Sequence, residues 1–170
     1  MSQLTLLPDN ERAQWTCSQL LGKPLKRGIT GTKRLFVEQA SIEQQPDLNF
    51  PMDKAQLSFQ KYEKGLLLRF IYMNQTAIYP LPFDDIQAIK LSGGDENLEP
   101  IPYTPCWFLL KLGVPLTIAR NFYGRRLPKD SEYTIEPTSL TIETGHGSLL
   151  LHTSSYDFPS IKEFFNSLDI

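Results

Sequence analysis

The chain has 170 residues, of which 41% are hydrophobic and 21% charged, and its formal net charge at pH 7 is −2. These values are typical of a globular protein with a hydrophobic core, and the small net charge argues against general binding to polyanions such as nucleic acids. The two cysteines, Cys17 and Cys106, lie far apart and form no CxxC pair, so the sequence has neither a disulfide framework nor a zinc-ligand pattern.

The sequence shows no signal for export or for membrane insertion. Its first residues lack a basic segment followed by an apolar run, so we expect no signal peptide. The longest apolar stretch, Cys106–Leu112, is too short to span a bilayer. We therefore predict a cytoplasmic protein.

The segment 1–22 is predicted to contain a helix. Asp9 and Asn10 are suitable N-caps, because their side-chain oxygens can accept hydrogen bonds from the first free backbone amides. Glu11 suits the positive end of the helix dipole, and Gly22 can adopt the left-handed conformation that ends a helix. The apolar face is incomplete, so we expect this helix to lie on the surface of a sheet.

A basic segment follows this helix. Five positive charges and no acid occur within twelve residues, and two interleaved glycines allow a phosphate or carboxylate to approach the backbone closely. The five residues are Lys23, Lys26, Arg27, Lys33 and Arg34.

The clearest secondary-structure pattern in the sequence is that of Leu57–Leu91, which predicts four short strands joined by tight turns. Leu57 and Phe59 alternate with polar residues, as expected when one face of a strand is buried. Leu66–Tyr72 is apolar nearly throughout, which is typical of a central strand covered on both faces. We predict an antiparallel sheet that closes around one apolar interior.

Further strands are predicted in the second half of the chain. Two apolar runs, Trp107–Leu112 and Leu116–Tyr123, are interpreted as strands. The aromatic residues, among them Phe108 and Phe122, are expected to lie mostly in the core. Three short strands at hairpin spacing should follow, with turns at Pro137-Thr138-Ser139 and Gly145-His146-Gly147. These strands are Tyr133–Ile135, Leu140–Glu143 and Leu149–His152.

The chain ends in a predicted amphipathic helix. Pro159 suits the first turn of a helix. Ile161, Phe164, Phe165 and Leu168 recur at helical spacing and form one apolar stripe. We expect this stripe to seal one end of the sheet from inside.

This arrangement resembles the pleckstrin-homology-like barrel, especially its bacterial forms. The closest likeness is Leu66–Leu91, where a strand pair meets Pro-Leu-Pro-Phe-Asp-Asp-Ile, and the second is Gly147–Leu168, where the last strand runs into the terminal helix. With the strands between them, these likenesses cover about two-thirds of the chain. The chain departs from the family in having more strands and in its N-terminal helix.

The predicted fold is therefore mainly β, or α+β by content. It is a single domain of 170 residues with an N-terminal helical segment 1–22, a partly open antiparallel barrel of the pleckstrin-homology-like type at 23–156, and a C-terminal helix 157–170. A lipocalin-like barrel is the main alternative architecture.

A second set of positive charges lies between Lys111 and Lys129, and we hypothesise that the two basic segments form one anion- or ligand-binding site. The alternative is two solvated loops on different sides of the molecule. The residues predicted for this site are Lys23, Lys26, Arg27, Lys33, Arg34, Arg120, Arg125 and Arg126.

We find no catalytic, metal-binding or cofactor motif, so we predict a non-enzymatic binding or scaffolding module without cofactor. It should bind a protein partner, or weakly an anionic lipid or phosphate, and no nucleic acid is expected. A lipocalin-like carrier of a small apolar ligand is the second interpretation, and an enzyme of unknown reaction is the third. The sequence does not indicate an oligomeric state.

Overall fold

The computed structural model describes residues 4–46, 48–94, 96–98, 100, 102–122 and 133–168. Within these residues the chain forms ten strands and four α-helices. The strands are β1 Leu7–Pro8, β2 Leu35–Ala40, β3 Gln56–Tyr62, β4 Gly65–Tyr72, β5 Gln75–Pro82, β6 Ile86–Ser92, β7 Glu96–Leu98, β8 Tyr133–Ile135, β9 Thr138–Thr144 and β10 Gly147–Thr153. The helices are α1 Glu11–Leu21, α2 Pro105–Lys111, α3 Leu116–Ala119 and α4 Phe158–Asn166.

The chain divides into two compact units. The larger unit contains α1, α4 and the strands β1–β6, β9 and β10. The smaller unit is Gly93–Glu136, inserted between β6 and β9, and it contains α2, α3 and the short pair β7–β8. A compact insert can belong to the same folding domain as its host, so the single-domain prediction stays a prediction.

The larger unit is built on an eight-stranded antiparallel sheet with the order β1-β5-β4-β3-β2-β10-β9-β6. This confirms the predicted mainly β, antiparallel class and the three hairpin-spaced strands after residue 132. Within the described residues no ladder joins β6 to β5 or β1, so the sheet is open.

The sheet must nevertheless bend, because β5 and β6 stand at distant places in its order but are joined by Phe83–Asp85 alone. The backbone N–H of Phe83 donates to the carbonyl of Lys64 at 3.0 Å, in the β3–β4 turn. The N–H of Gly145, in the β9–β10 turn, donates to the carbonyl of Asp85 at 3.2 Å. One short connection therefore ties together two hairpins from different parts of the sheet.

The concave side of the sheet is filled by its own side chains and by α4. Phe59, Phe70, Tyr79 and Phe164 are all fully buried, and the Phe164 ring lies 6.3 Å from that of Phe59. The predicted apolar stripe is confirmed. Ile161, Phe164 and Leu168 are buried, and Phe165 is half-buried against the same core.

The C-terminal end of α4 is held by β3. The Lys61 ammonium donates to the carbonyl of Ser167 at 2.5 Å. A positive charge is favourable at this end of a helix because the last carbonyl groups have no partner within the helix. The contact ties the C-terminal end of α4 to β3.

The opposite face of β4 and β5 is covered by α1, as predicted. Asn10 caps the helix through Oδ1, which accepts from the backbone N–H of Ala13 at 2.9 Å, and Gly22 ends it with φ of 78°. The side chains buried in this contact are Ala13, Cys17 and Leu21 from α1 and Leu67 and Ile78 from the sheet. The apolar β4 is thus covered on both faces, as its sequence predicted.

The prediction of strands at 107–112 and 116–123 is wrong, because the described part of this region forms α2 and α3. Thr104 caps α2 by accepting from the N–H of Trp107 at 3.3 Å, and Pro105 occupies the first turn. Pro115 stands directly before α3. A short apolar run cannot be assigned to helix or strand from its periodicity alone, and the Thr-Pro start is the signal that favours the helix.

Candidate functional site

The first basic segment lies along the edge of β3. The N–H of Leu25 donates to Lys61 O at 3.0 Å, Lys61 N–H donates to Thr30 O at 2.8 Å, and Thr32 N–H donates to Phe59 O at 3.1 Å. The segment therefore continues the sheet beyond the short pairing of β2 with β3. All five of its basic side chains are exposed.

These five side chains divide into two groups. Lys33 forms an ion pair with Asp157 at 2.8 Å, and Arg34 Nη1 donates to Gln56 Oε1 at 3.3 Å. The other three surround a shallow pocket of about 550 Å³ that also contains the carboxylate of Glu63. They are Lys23, Lys26 and Arg27.

The second basic segment belongs to the smaller unit. Arg120 is exposed in the turn that follows α3. Arg125 and Arg126 lie outside the described residues. The hypothesis that the two basic segments meet in one site stays a prediction.

A feature that the sequence did not reveal is a groove of about 540 Å³ between β6 and α4. The groove runs beside the end strand of the sheet and is floored by apolar side chains from both elements. Its lining consists of Ile86, Gln87, Ala88, Ile89, Leu91, Phe158, Lys162, Phe165, Asn166 and Leu168.

The outer edge of β6 gives this groove hydrogen-bonding capacity. In the described chain β6 pairs with β9 alone, so along its seven residues roughly half of the backbone N–H and C=O groups point away from the sheet. A register shift between Ile86 and Ala88 bends the strand, and such bulges limit indiscriminate pairing at an edge. Lys90 is not among the residues that line the groove, and its ammonium pairs with Glu143 at 2.7 Å.

One charged residue lines the groove. Of the ten lining residues, Lys162 is the charged one, and its ammonium lies 5.7 Å from the centre of the Phe158 ring. Lys162 is exposed, whereas Phe158 and Phe165 are half-buried. The groove therefore offers apolar surface with one positive charge at its side.

Neither cysteine has the surroundings of a nucleophile. Both thiols are free and buried. Burial, with a smaller effect of the Asp9 carboxylate, raises the pKa of Cys17 to about 11, and burial also raises the pKa of Cys106. Both therefore stay protonated at neutral pH, which is the less reactive form.

Two negative findings apply to the described part of the chain. It contains no cluster of three or more His, Cys, Asp or Glu residues arranged to hold a metal ion. None of its helices has the length and apolar character needed to cross a membrane.

The architecture is thus an open antiparallel sheet, bent around an amphipathic helix and carrying a helical insert. Compared with known proteins, the chain matches no family model, and no curated protein and no solved structure is significantly similar to it.

Proposed function

We propose that this protein is a non-enzymatic binding module that takes an extended segment of a partner protein into the groove between β6 and α4. The observation that carries the proposal is the outer edge of β6, which no strand among the described residues covers, beside the half-buried apolar side chains of α4. We also assign the bent sheet with its plugging helix to the pleckstrin-homology-like type of partly open barrel, and place the protein in the cytoplasm, where free thiols persist.

The physical basis is strand addition. A partner segment lying along β6 would hydrogen-bond to the outward backbone groups, and its alternate side chains would enter the groove over Ile89 and Phe165. Lys162 would pair with an acidic residue of the partner. The partner is therefore an extended segment with apolar residues at every second position and an Asp or Glu among them.

The packing of the interior favours this function over that of a lipocalin-like carrier. A carrier needs an enclosed apolar cavity, whereas here Phe59, Phe70, Tyr79 and Phe164 fill the space inside the sheet. An enzyme remains the third interpretation, with the low reactivity of both thiols as an argument against it.

The groove can be tested with a random-peptide display library. We expect the selected peptides to alternate apolar residues with polar ones and to contain an acid. Their affinity should fall by about tenfold or more in Lys162→Glu, through charge repulsion, and in Ala88→Trp, which fills the groove.

Lys54→Glu is the matched control. Lys54 is exposed and does not line the groove, so this substitution makes the same change of charge at a different site. Equal loss of affinity in Lys54→Glu and Lys162→Glu, or selected peptides that bind Ala88→Trp normally, would reject the groove as the site.

A second candidate function is supported by the pocket of Lys23, Lys26 and Arg27. Three cationic side chains from one backbone-anchored turn suit a phosphate-bearing ligand, although the Glu63 carboxylate reduces the local positive potential. Titration with inorganic pyrophosphate, followed by NMR, should shift the amide signals of Lys23, Leu25, Lys26 and Arg27. Lys26→Glu with Arg27→Glu should abolish these shifts, and their persistence would contradict the site.

A further inference from the structure

In the part of the smaller unit that the structure describes, several large hydrophobic side chains are exposed. Where α2 meets α3, Cys106 and Ala119 are buried, and four half-buried residues pack against them: Leu109, Leu110, Val114 and Leu116. Ten large hydrophobic side chains are exposed in the described residues, and five of them lie within residues 102–122. These five are Tyr103, Phe108, Leu112, Ile118 and Phe122.

Two of these residues protrude far into solvent. Tyr103 is 81% exposed at the start of α2, and Leu112 is 79% exposed just after its end. Trp107 lies between them in sequence. The centre of its ring is 5.4 Å from that of Tyr103 and 4.9 Å from that of Phe108. Exposed apolar patches of this kind mark interaction sites in folded proteins.

The charges of the same segment have one sign. Residues 102–122 contain Lys111 and Arg120 and no acid. The Lys111 ammonium lies 5.5 Å from the centre of the Trp107 ring, so a positive charge and an aromatic side chain occupy the same surface. Trp and Tyr prefer the boundary between lipid and water, and Lys is attracted to anionic headgroups there.

We propose that the α2–α3 segment docks the protein on an anionic membrane surface, with Phe108 and Leu112 entering the headgroup region. A protein partner would need pockets that match each protruding side chain, whereas a bilayer deforms around them. The segment is too short to span a bilayer, so the binding is peripheral and reversible. This inference is independent of the β6–α4 groove.

The test uses the full chain and vesicles of phosphatidylcholine with about one third phosphatidylserine, the proportion chosen to give a strongly anionic surface. We expect wild-type protein to sediment with these vesicles, to bind pure phosphatidylcholine about tenfold more weakly, and to dissociate as salt is raised. The double variant Phe108→Ser and Leu112→Ser should bind the anionic vesicles at least about tenfold more weakly.

Tyr156→Ser is the matched control, because Tyr156 is 79% exposed but belongs to the larger unit. Its binding should equal that of the wild type. Absence of wild-type binding at low salt, or equal binding by the double variant, would overturn the proposal. If the wild-type protein is instead a dimer that does not bind vesicles, and the double variant is a monomer, this surface binds a second copy of the chain.

A second measurement does not depend on the folding of the double variant. The sequence has two tryptophans, so Trp15→Phe leaves Trp107 as the sole tryptophan. Its fluorescence should shift to shorter wavelength with anionic vesicles and be quenched by brominated lipid. An emission spectrum that vesicles leave unchanged would overturn the proposal.

Discussion

Phe164→Ala should lower the free energy of unfolding by about 3–5 kcal/mol, the range for removing a fully buried aromatic side chain from a packed core. Phe164 is completely buried where α4 enters the bent sheet, and its ring contacts those of Phe59 and Phe165. The loss includes both the transfer of apolar surface and the cavity that remains, because the surrounding strands are tied by hydrogen bonds and cannot collapse into it.

The measurement is urea denaturation followed by circular dichroism, with the thermal midpoint as a second readout. A loss of this size should lower the midpoint by about 10 °C in a protein of this length. Glu163→Ala is the control, since Glu163 is exposed on the same helix and should change stability by no more than about 0.5 kcal/mol. An unchanged midpoint in Phe164→Ala would mean that α4 does not support the sheet.

The sequence predicted an element correctly where its residue pattern is compatible with a single structure. The stripe of Ile161, Phe164 and Leu168 required a helix with one buried face, and the unbroken apolar run in β4 required cover on both sides. Local chemistry also determined the ends of α1, because Asn10 and Gly22 suit those two positions and few others. These elements depend on near neighbours in the chain.

The same reasoning failed for α2, where pattern and length were both ambiguous. Apart from Lys111, the run from Trp107 to Leu112 is apolar, so its pattern fits a buried strand as well as a short helix. Phe108 and Phe122 also belong to the aromatic residues that were expected mostly in the core, whereas each is 51% exposed. The membrane-docking proposal rests on this difference.

The groove could not be predicted from the sequence, for a different reason. β6 pairs with β9, which follows it only after the whole insert Gly93–Glu136, and α4 comes later still. Hydrophobic pattern identifies the face of a strand, but it does not specify which distant element lies beside the edge. The basic residues, by contrast, were visible in the sequence, and the structure separates those in contacts, such as Lys33, from those left around a pocket, such as Lys26.

Gly147→Ala should destabilise the protein by about 3 kcal/mol or more, because two separate effects oppose any side chain there. Gly147 has φ of 152°, a backbone conformation that L-residues with a side chain rarely adopt. A Cβ at this position would also lie 1.8 Å from the carbonyl oxygen of Ser41. Relief of that clash requires the backbone itself to move, since neither atom belongs to a flexible side chain.

The movement would break the contact that joins β2 to β10 at this end, where Ser41 N–H donates to the carbonyl of Ser148 at 2.9 Å. Amide hydrogen exchange should therefore become much faster at Ser41 in Gly147→Ala, in parallel with the fall in urea stability. Gly145→Ala is a control two residues away, because its Cβ would meet nothing closer than Gln87 Nε2 at 3.8 Å, an ordinary contact. If both alanine variants lost the same stability, the close approach of Gly147 to β2 would not be a determinant of the fold. A large loss in Gly147→Ala alone would show that the close approach of Gly147 to Ser41 stabilises the β9–β10 turn, which the Gly145–Asp85 hydrogen bond ties to the short connection that bends the sheet.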